Sequence, residues 1–160
     1  MIIEKIKTGW IKTEENVTTW LLLILVGLVF MEVVVRAFGN PTTWSVGIAQ
    51  LIFIWVIFLG ANQALRKHAH VGIDVINYFL WPKLRLLIEM IMNILMIFFL
   101  LYLIYYGSDM VISSTSRLIS GTNVPYWTVT LAIPVGSILM LLTTISQILG
   151  KWRQIRSNNE

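Results

Sequence analysis

Few side chains in this 160-residue chain can move a proton, hold an ion or cleave a bond, and they fall into three groups. Glu32 and Arg36 lie four apart with the acid first, the favourable order for a helical ion pair. That carboxylate serves either as a structural partner of Arg36 or as a proton or solute group, since acids in apolar segments are functional candidates. At 1.5 Å per residue, Glu32 sits only about 6 Å along a helix from Arg36, near the end of its apolar run. His68, His70 and Asp74 form the second group, and a helix would set His70 and Asp74 on one face. Two imidazoles and one carboxylate fall short of a closed metal set, and there is no third histidine, so no metal is expected. The third group, Arg85, Glu89 and Asn93, makes a polar stripe at spacings of four. Helix–helix contact is the reading for it, with ion transfer as the alternative.

Other chemistry is absent. With no cysteine there are no disulfides, thiolate metal sites or catalytic thiols. No phosphate-binding loop, HExxH motif or Ser-His-Asp set occurs. A haem held between helices would need histidines within them, and both lie in a connector. No catalytic, cofactor-binding or metal-ligating residue is therefore assigned, and no enzyme activity is expected.

The elements that must position these groups follow from composition. Apolar residues make up 57% of the chain and charged residues 12%, against about 25% charged in a soluble domain. Four stretches, 17–36, 46–65, 86–106 and 126–149, reach the roughly 20 apolar residues that cross a hydrocarbon core of about 30 Å. Runs 21–30 and 94–104 lack the two-residue alternation of a membrane barrel, so helices must satisfy their backbone. The expectation is an all-α integral membrane protein: one domain, 1–160, of four transmembrane helices with short interfacial helices. The apolar core of the first span is about 19 residues, longer than the ~7–15 of a signal peptide, and Val35-Arg36-Ala37 is a poor cleavage site.

Charge placement sets the expected orientation. Ten of the twelve Lys and Arg residues lie in the two tails and the connector 66–85; only Arg36 and Arg117 lie in the other connectors. The Lys- and Arg-rich side is cytoplasmic. Both termini are thus expected inside, in the bacterial inner membrane, and the net charge of +4 reflects topology rather than a nucleic-acid partner.

Between the spans, residues 1–13 place Ile2, Ile3, Ile6 and Trp10 at near-helical spacing among lysines, as an interfacial helix does. The apolar residues of the connector, from Val71 to Trp81, suggest a second surface segment in contact with lipid, ended by Pro82. Phe38-Gly39-Asn40-Pro41 is a turn signal, and 113–123 reads as an exposed loop. Trp44 suits an aromatic belt. Gly60 and Ala64, with Ala61, form a small-residue patch that permits close helix approach. Trp55 reads as a packing or lipid-facing residue. Pro125 suits the start of the last span, and Pro134 should kink it, with Gly136 and Ser137 giving room to pack.

A resemblance rests on specific residues. Trp44-Ser45, the run Phe53-Ile54-Trp55-Val56-Ile57-Phe58-Leu59-Gly60-Ala61, then Ala64, Arg66, His70, Val71 and Asp74 resemble the small membrane subunit of TRAP (tripartite ATP-independent periplasmic) transporters, of the Q type. Pro125-Tyr126-Trp127 and Pro134-Val135-Gly136 are similar to that family's last span. Val46, Gly47 and Gln50 stand where family members often carry charges. The resemblance implies three components: a periplasmic substrate-binding protein, a large M-type membrane subunit that moves solute and Na+ by an elevator motion, and this small subunit packed on the stationary scaffold. It implies uptake of an organic acid, such as a C4-dicarboxylate or sialic acid. Trp55, Gly60, Ala61 and Ala64 are then candidates for subunit packing, and Arg36 and Arg117 for docking the binding protein. Two rivals stand beside it: a stand-alone dimeric proton-coupled exporter using Glu32, and a quinone- or haem-linked membrane anchor.

Overall fold

The computed structural model describes the backbone of residues 2–68 and 82–157, and the side chains of 9–67, 88 and 90–150. Five helices follow in order: α1 (Ile2–Ala37), α2 (Thr43–His68), α3 (Pro82–Ser113), α4 (Trp127–Thr130) and α5 (Ala132–Ser157). Four segments are long and apolar enough to cross a membrane: Gly9–Ala37, Thr43–Lys67, Met90–Ser113 and Trp127–Gly150. Each contains or closely overlaps one expected span. His70, Asp74 and the expected surface segment around them lie outside the described residues, as do the side chains of Arg85 and Glu89.

The expected interfacial helix at 1–13 is not a separate element. It runs without a break into the first span as the 36 residues of α1. Gly9, its weakest helix former, costs only about 1 kcal/mol relative to alanine, too little to stop a long helix. At 1.5 Å per residue α1 is about 54 Å long, so it overhangs a hydrocarbon core of about 30 Å.

Packing runs as a row: α1 on α2, α2 on α5, and α5 on α3. Among the described residues, the first and third spans make no comparably close contact that would close the row into a bundle. Consequently the apolar core is small among the described residues: Leu100, Ile119, Val129 and Ala132. Along α1, the positions facing α2 follow a three-four spacing: Ile11, Glu14, Thr18, Leu21, Leu25, Leu28, Glu32 and Val35 are buried or half-buried, while Trp20, Leu23, Val26 and Phe30 are exposed. That is the seam of a left-handed helix pair. Two glycines seat other contacts: a Cβ on Gly136 would lie 2.5 Å from the Phe58 Cβ, and one on Gly107 would lie 3.0 Å from Ile133. Gly136 thus brings α5 onto α2, and Gly107 brings α3 onto α5.

The last span carries one local irregularity. Leu131 separates α4 from α5, and Pro134 falls in the first turn of α5. Pro134 has no N–H for the carbonyl of Thr130, four residues back, so the helix opens there. Flanking bonds survive, from Leu131 N to Trp127 O (2.9 Å) and from Val135 N to Leu131 O (3.2 Å). The backbone stays right-handed helical through Leu131, at φ −59 and ψ −28, so the span loses one bond where the kink is expected and does not end there. Pro125 stands two residues before the helix, in an isolated antiparallel bridge to Leu118.

The connector 114–126 is more than an exposed loop. Ile119 is 1% exposed, and a Cβ on Gly47 would lie 2.6 Å from its side chain. Gly121, at φ +73, lets the turn approach Thr43. Burying one isoleucine and ordering a glycine turn fastens this loop to the start of α2.

Candidate functional site: two polar latches and an open helix face

Glu14 and Glu32 stand eighteen residues apart on α1. Eighteen residues make five turns at 3.6 per turn, so the two carboxylates face one side, about 27 Å apart along the axis. Both are 8% exposed and both turn toward α2.

Glu14 anchors the end that carries the chain termini. Its Oε2 lies 2.5 Å from the guanidinium of Arg66 on α2. Its Oε1 accepts a hydrogen bond from Asn62 Nδ2 at 2.8 Å. Asn62 Oδ1 in turn accepts one from the Thr143 hydroxyl of α5 at 2.8 Å. Gln63 donates to Thr18 Oγ1 at 2.7 Å, and Gln147 donates to the Leu65 carbonyl at 3.1 Å. One carboxylate therefore gathers three helices. Lys67 and Glu15, 2.9 Å apart, add a more exposed pair beside it.

Glu32 anchors the loop end. Its Oε1 takes Arg36 Nη2 at 3.0 Å; its Oε2 takes the hydroxyls of Ser45, at 2.6 Å, and Thr42. Arg36 itself is 65% exposed in its side chain. Nearby, the Trp55 indole donates to the Thr128 carbonyl at 3.1 Å, joining α2 to α4. Gln50 donates to the Tyr126 hydroxyl at 3.3 Å, and the Arg117 guanidinium lies 5.1 Å from the Tyr126 ring centre.

Several expected residues thus serve contacts within the chain. Trp55, Arg66 and Gly136 all hold helices together, and Pro134 removes one backbone bond from the last span. Trp44 and Trp127 remain 45% and 37% exposed. Gly60 is open, with nothing within 4 Å of where its Cβ would be, and Ala61 and Ala64 are exposed. Glu14 and Asn62 are the residues that sequence reasoning missed. The eighteen-residue interval between two acids was the available signal.

Two grooves remain beside the latches. One of about 330 Å³ lies between α1 and α2 at the loop end, walled by Leu28, Val29, Val33 and Val46. The other, about 470 Å³, lies between α1 and α5 at the opposite end, with Trp10 and Leu142 beside the Glu14–Arg66 pair. No group of three or more His, Asp and Glu side chains that could hold a metal occurs among the described residues.

Four spans in a row, the first two tied at both ends by buried carboxylates, define a multi-pass membrane protein whose buried acids are turned inward on its own helices. The model of the family described as tripartite ATP-independent periplasmic transporters, DctQ component, matches residues 25–154, and the chain belongs to that family. By that description the family is a component of these transporters. The chain is also similar to the sialic acid TRAP transporter permease protein SiaT of Haemophilus influenzae (strain 86-028NP), with 29% identity over 97 residues. That match takes in 60% of this chain and 16% of the relative's length.

Proposed function

We propose that this chain is the stationary, scaffold-side subunit of a TRAP transporter. In this reading it packs against a large membrane subunit that performs Na+-coupled uptake of an organic acid delivered by a periplasmic binding protein. The observation that carries it is the use of both buried carboxylates. Glu14 and Glu32 are occupied by Arg66, Asn62, Arg36, Ser45 and Thr42, so each fastens helices together and neither is free for a solute. An elevator needs one part held still while another slides, and a row of latched spans supplies embedded, tilt-resistant bulk. The same partners argue against the proton-coupled exporter, which needs Glu32 free to exchange a proton.

The terminal end lies in the cytoplasm in this proposal, because ten of the twelve Lys and Arg residues fall there. The loop end then faces the periplasm in the inner membrane, and Arg36 and Arg117 offer exposed cations to the binding protein. The solute is an organic acid by family, and the relative's name brings sialic acid forward beside C4-dicarboxylates as a first compound to assay.

The test is reconstitution. Liposomes holding this chain and the large subunit, with binding protein outside and an inward Na+ gradient, should accumulate labelled acid. Omitting any one component should abolish uptake, and reversing Arg36 and Arg117 to Glu should reduce it. Proton-driven efflux by this chain alone, lost in Glu32→Gln, would replace this reading with the exporter.

A further inference from the structure

Within a bilayer, a helix face left uncovered by its own chain meets either lipid or another helix. The two are told apart by side-chain size, because helix–helix contacts in membranes favour small residues that let backbones approach. The outward face of α3 is uniform. Between residues 90 and 106, every exposed position is a large apolar or aromatic side chain, from Met90 and Ile94 through Phe98 to Tyr105. Such a surface suits acyl chains.

The free face of α2 is different. Val46, Gln50, Phe53, Ile57, Gly60 and Ala64 recur at steps of four, three, four, three and four. This is the 3.5-residue period of a left-handed helix seam. It repeats, one position later in sequence, the row Ser45, Ala49, Ile52, Val56, Leu59, Gln63 and Arg66, which is buried or half-buried. Ser45, Gln63 and Arg66 of that row bond to α1. The second row has no such partner among the described residues. Val46, Phe53 and Ile57 are about half exposed, Ala64 is exposed, and the space at Gly60 is open. At the loop-end rim, Gln50 is engaged by the Tyr126 hydroxyl and Val46 edges the α1–α2 groove. Side chains shrink from phenylalanine to glycine and alanine toward the terminal end, with Ala61 beside the row.

We infer that this row of α2 is the docking seam for one transmembrane helix of the large membrane subunit. That helix lies alongside α2 at a small left-handed crossing of about 20° and approaches most closely at Gly60 and Ala64. The inference rests on the small-subunit reading proposed above. A relative in which the matching segment is 16% of one chain is consistent with a large partner in the same membrane. The α3 face, by contrast, is left to lipid.

Phe53 and Phe98 provide the test, being the same residue type, both exposed, on the two competing faces. A photoreactive phenylalanine analogue is installed at one or the other in the full chain, co-expressed with the tagged large subunit in native membranes. Illumination should join the chain to the large subunit from position 53, with at least tenfold less product from position 98. Ala64→Leu should cut the recovered large subunit severalfold, while Phe98→Leu leaves it unchanged. Product from position 98 in place of 53 overturns the seam, as does a dimer of this chain from position 53. A wild-type chain that recovers no large subunit at all overturns the small-subunit reading with it. Recovery of the large subunit without product from position 53 overturns the seam alone.

Discussion

The two ends of α1 solve one problem in different ways. At each, a buried carboxylate needs donors that lipid cannot supply, and desolvating it unpaired is costly. Glu32 finds them locally: Arg36 is one helical turn away, and Thr42 and Ser45 follow across a short turn. Glu14 finds them at a distance, in Asn62 and Arg66 of α2, with Thr143 of α5 completing the chain of bonds. A local latch fastens one hairpin. A distant latch fixes the order of helices, because it closes only when three of them are already side by side.

This difference can be broken or sharpened by substitution. The largest effect belongs to Arg66→Met, which strands Glu14 as an unpaired buried charge. Loss of one partner of a buried pair costs about 3–5 kcal/mol. The thermal midpoint of the detergent-solubilised protein should fall sharply, and Glu14→Met added to it should recover much of the loss. If the single variant melts like the wild type, the Glu14–Arg66 pair does not hold the row together.

Asn62→Leu should come next. It removes one bond to the carboxylate and one from Thr143, and interhelical bonds in membranes are worth about 0.6 kcal/mol each, rising to about 1.7. A loss of about 1–2 kcal/mol is expected, read by the same melt. Proteolysis should also find α5 more readily released from α2. A variant in which α5 stays as protected as in the wild type would show that Gly136 against Phe58 suffices for that contact.

The smallest effect belongs to the loop end. Glu32 is buried but Arg36 is 65% exposed in its side chain, and screening of that cation by water brings the pair toward the about 0–1 kcal/mol of a surface pair. Arg36→Ala should leave the melt nearly unchanged, since Ser45 and Thr42 still cover the other oxygen of Glu32. A large drop would mean that the two latches are equally demanding and that the contrast drawn between them is wrong.

The same contrast explains what could be foreseen. The spans, the Glu32–Arg36 pair and the lost bond at Pro134 follow from local rules: apolar length, helical spacing and a missing N–H. The segment 1–13 suits a membrane surface by composition, and its helix runs on into the first span because nothing in it is strong enough to stop it. The loop after α3 looked polar and free, yet one isoleucine finds a seat beside Gly47.

The sequence alone determined that this is a four-span membrane protein of the TRAP small-subunit family. Bilayer thickness converts apolar length directly into helices, and family motifs are local strings. Only the tertiary structure decided that the spans form a row, that Glu14 belongs to Arg66 and Asn62, and that one seam of α2 is used while its neighbour is left open. In lipid, apolar character no longer distinguishes inside from outside, so burial cannot be read from hydrophobic pattern. It is set by which small residues meet which side chains and which polar groups find partners far along the chain.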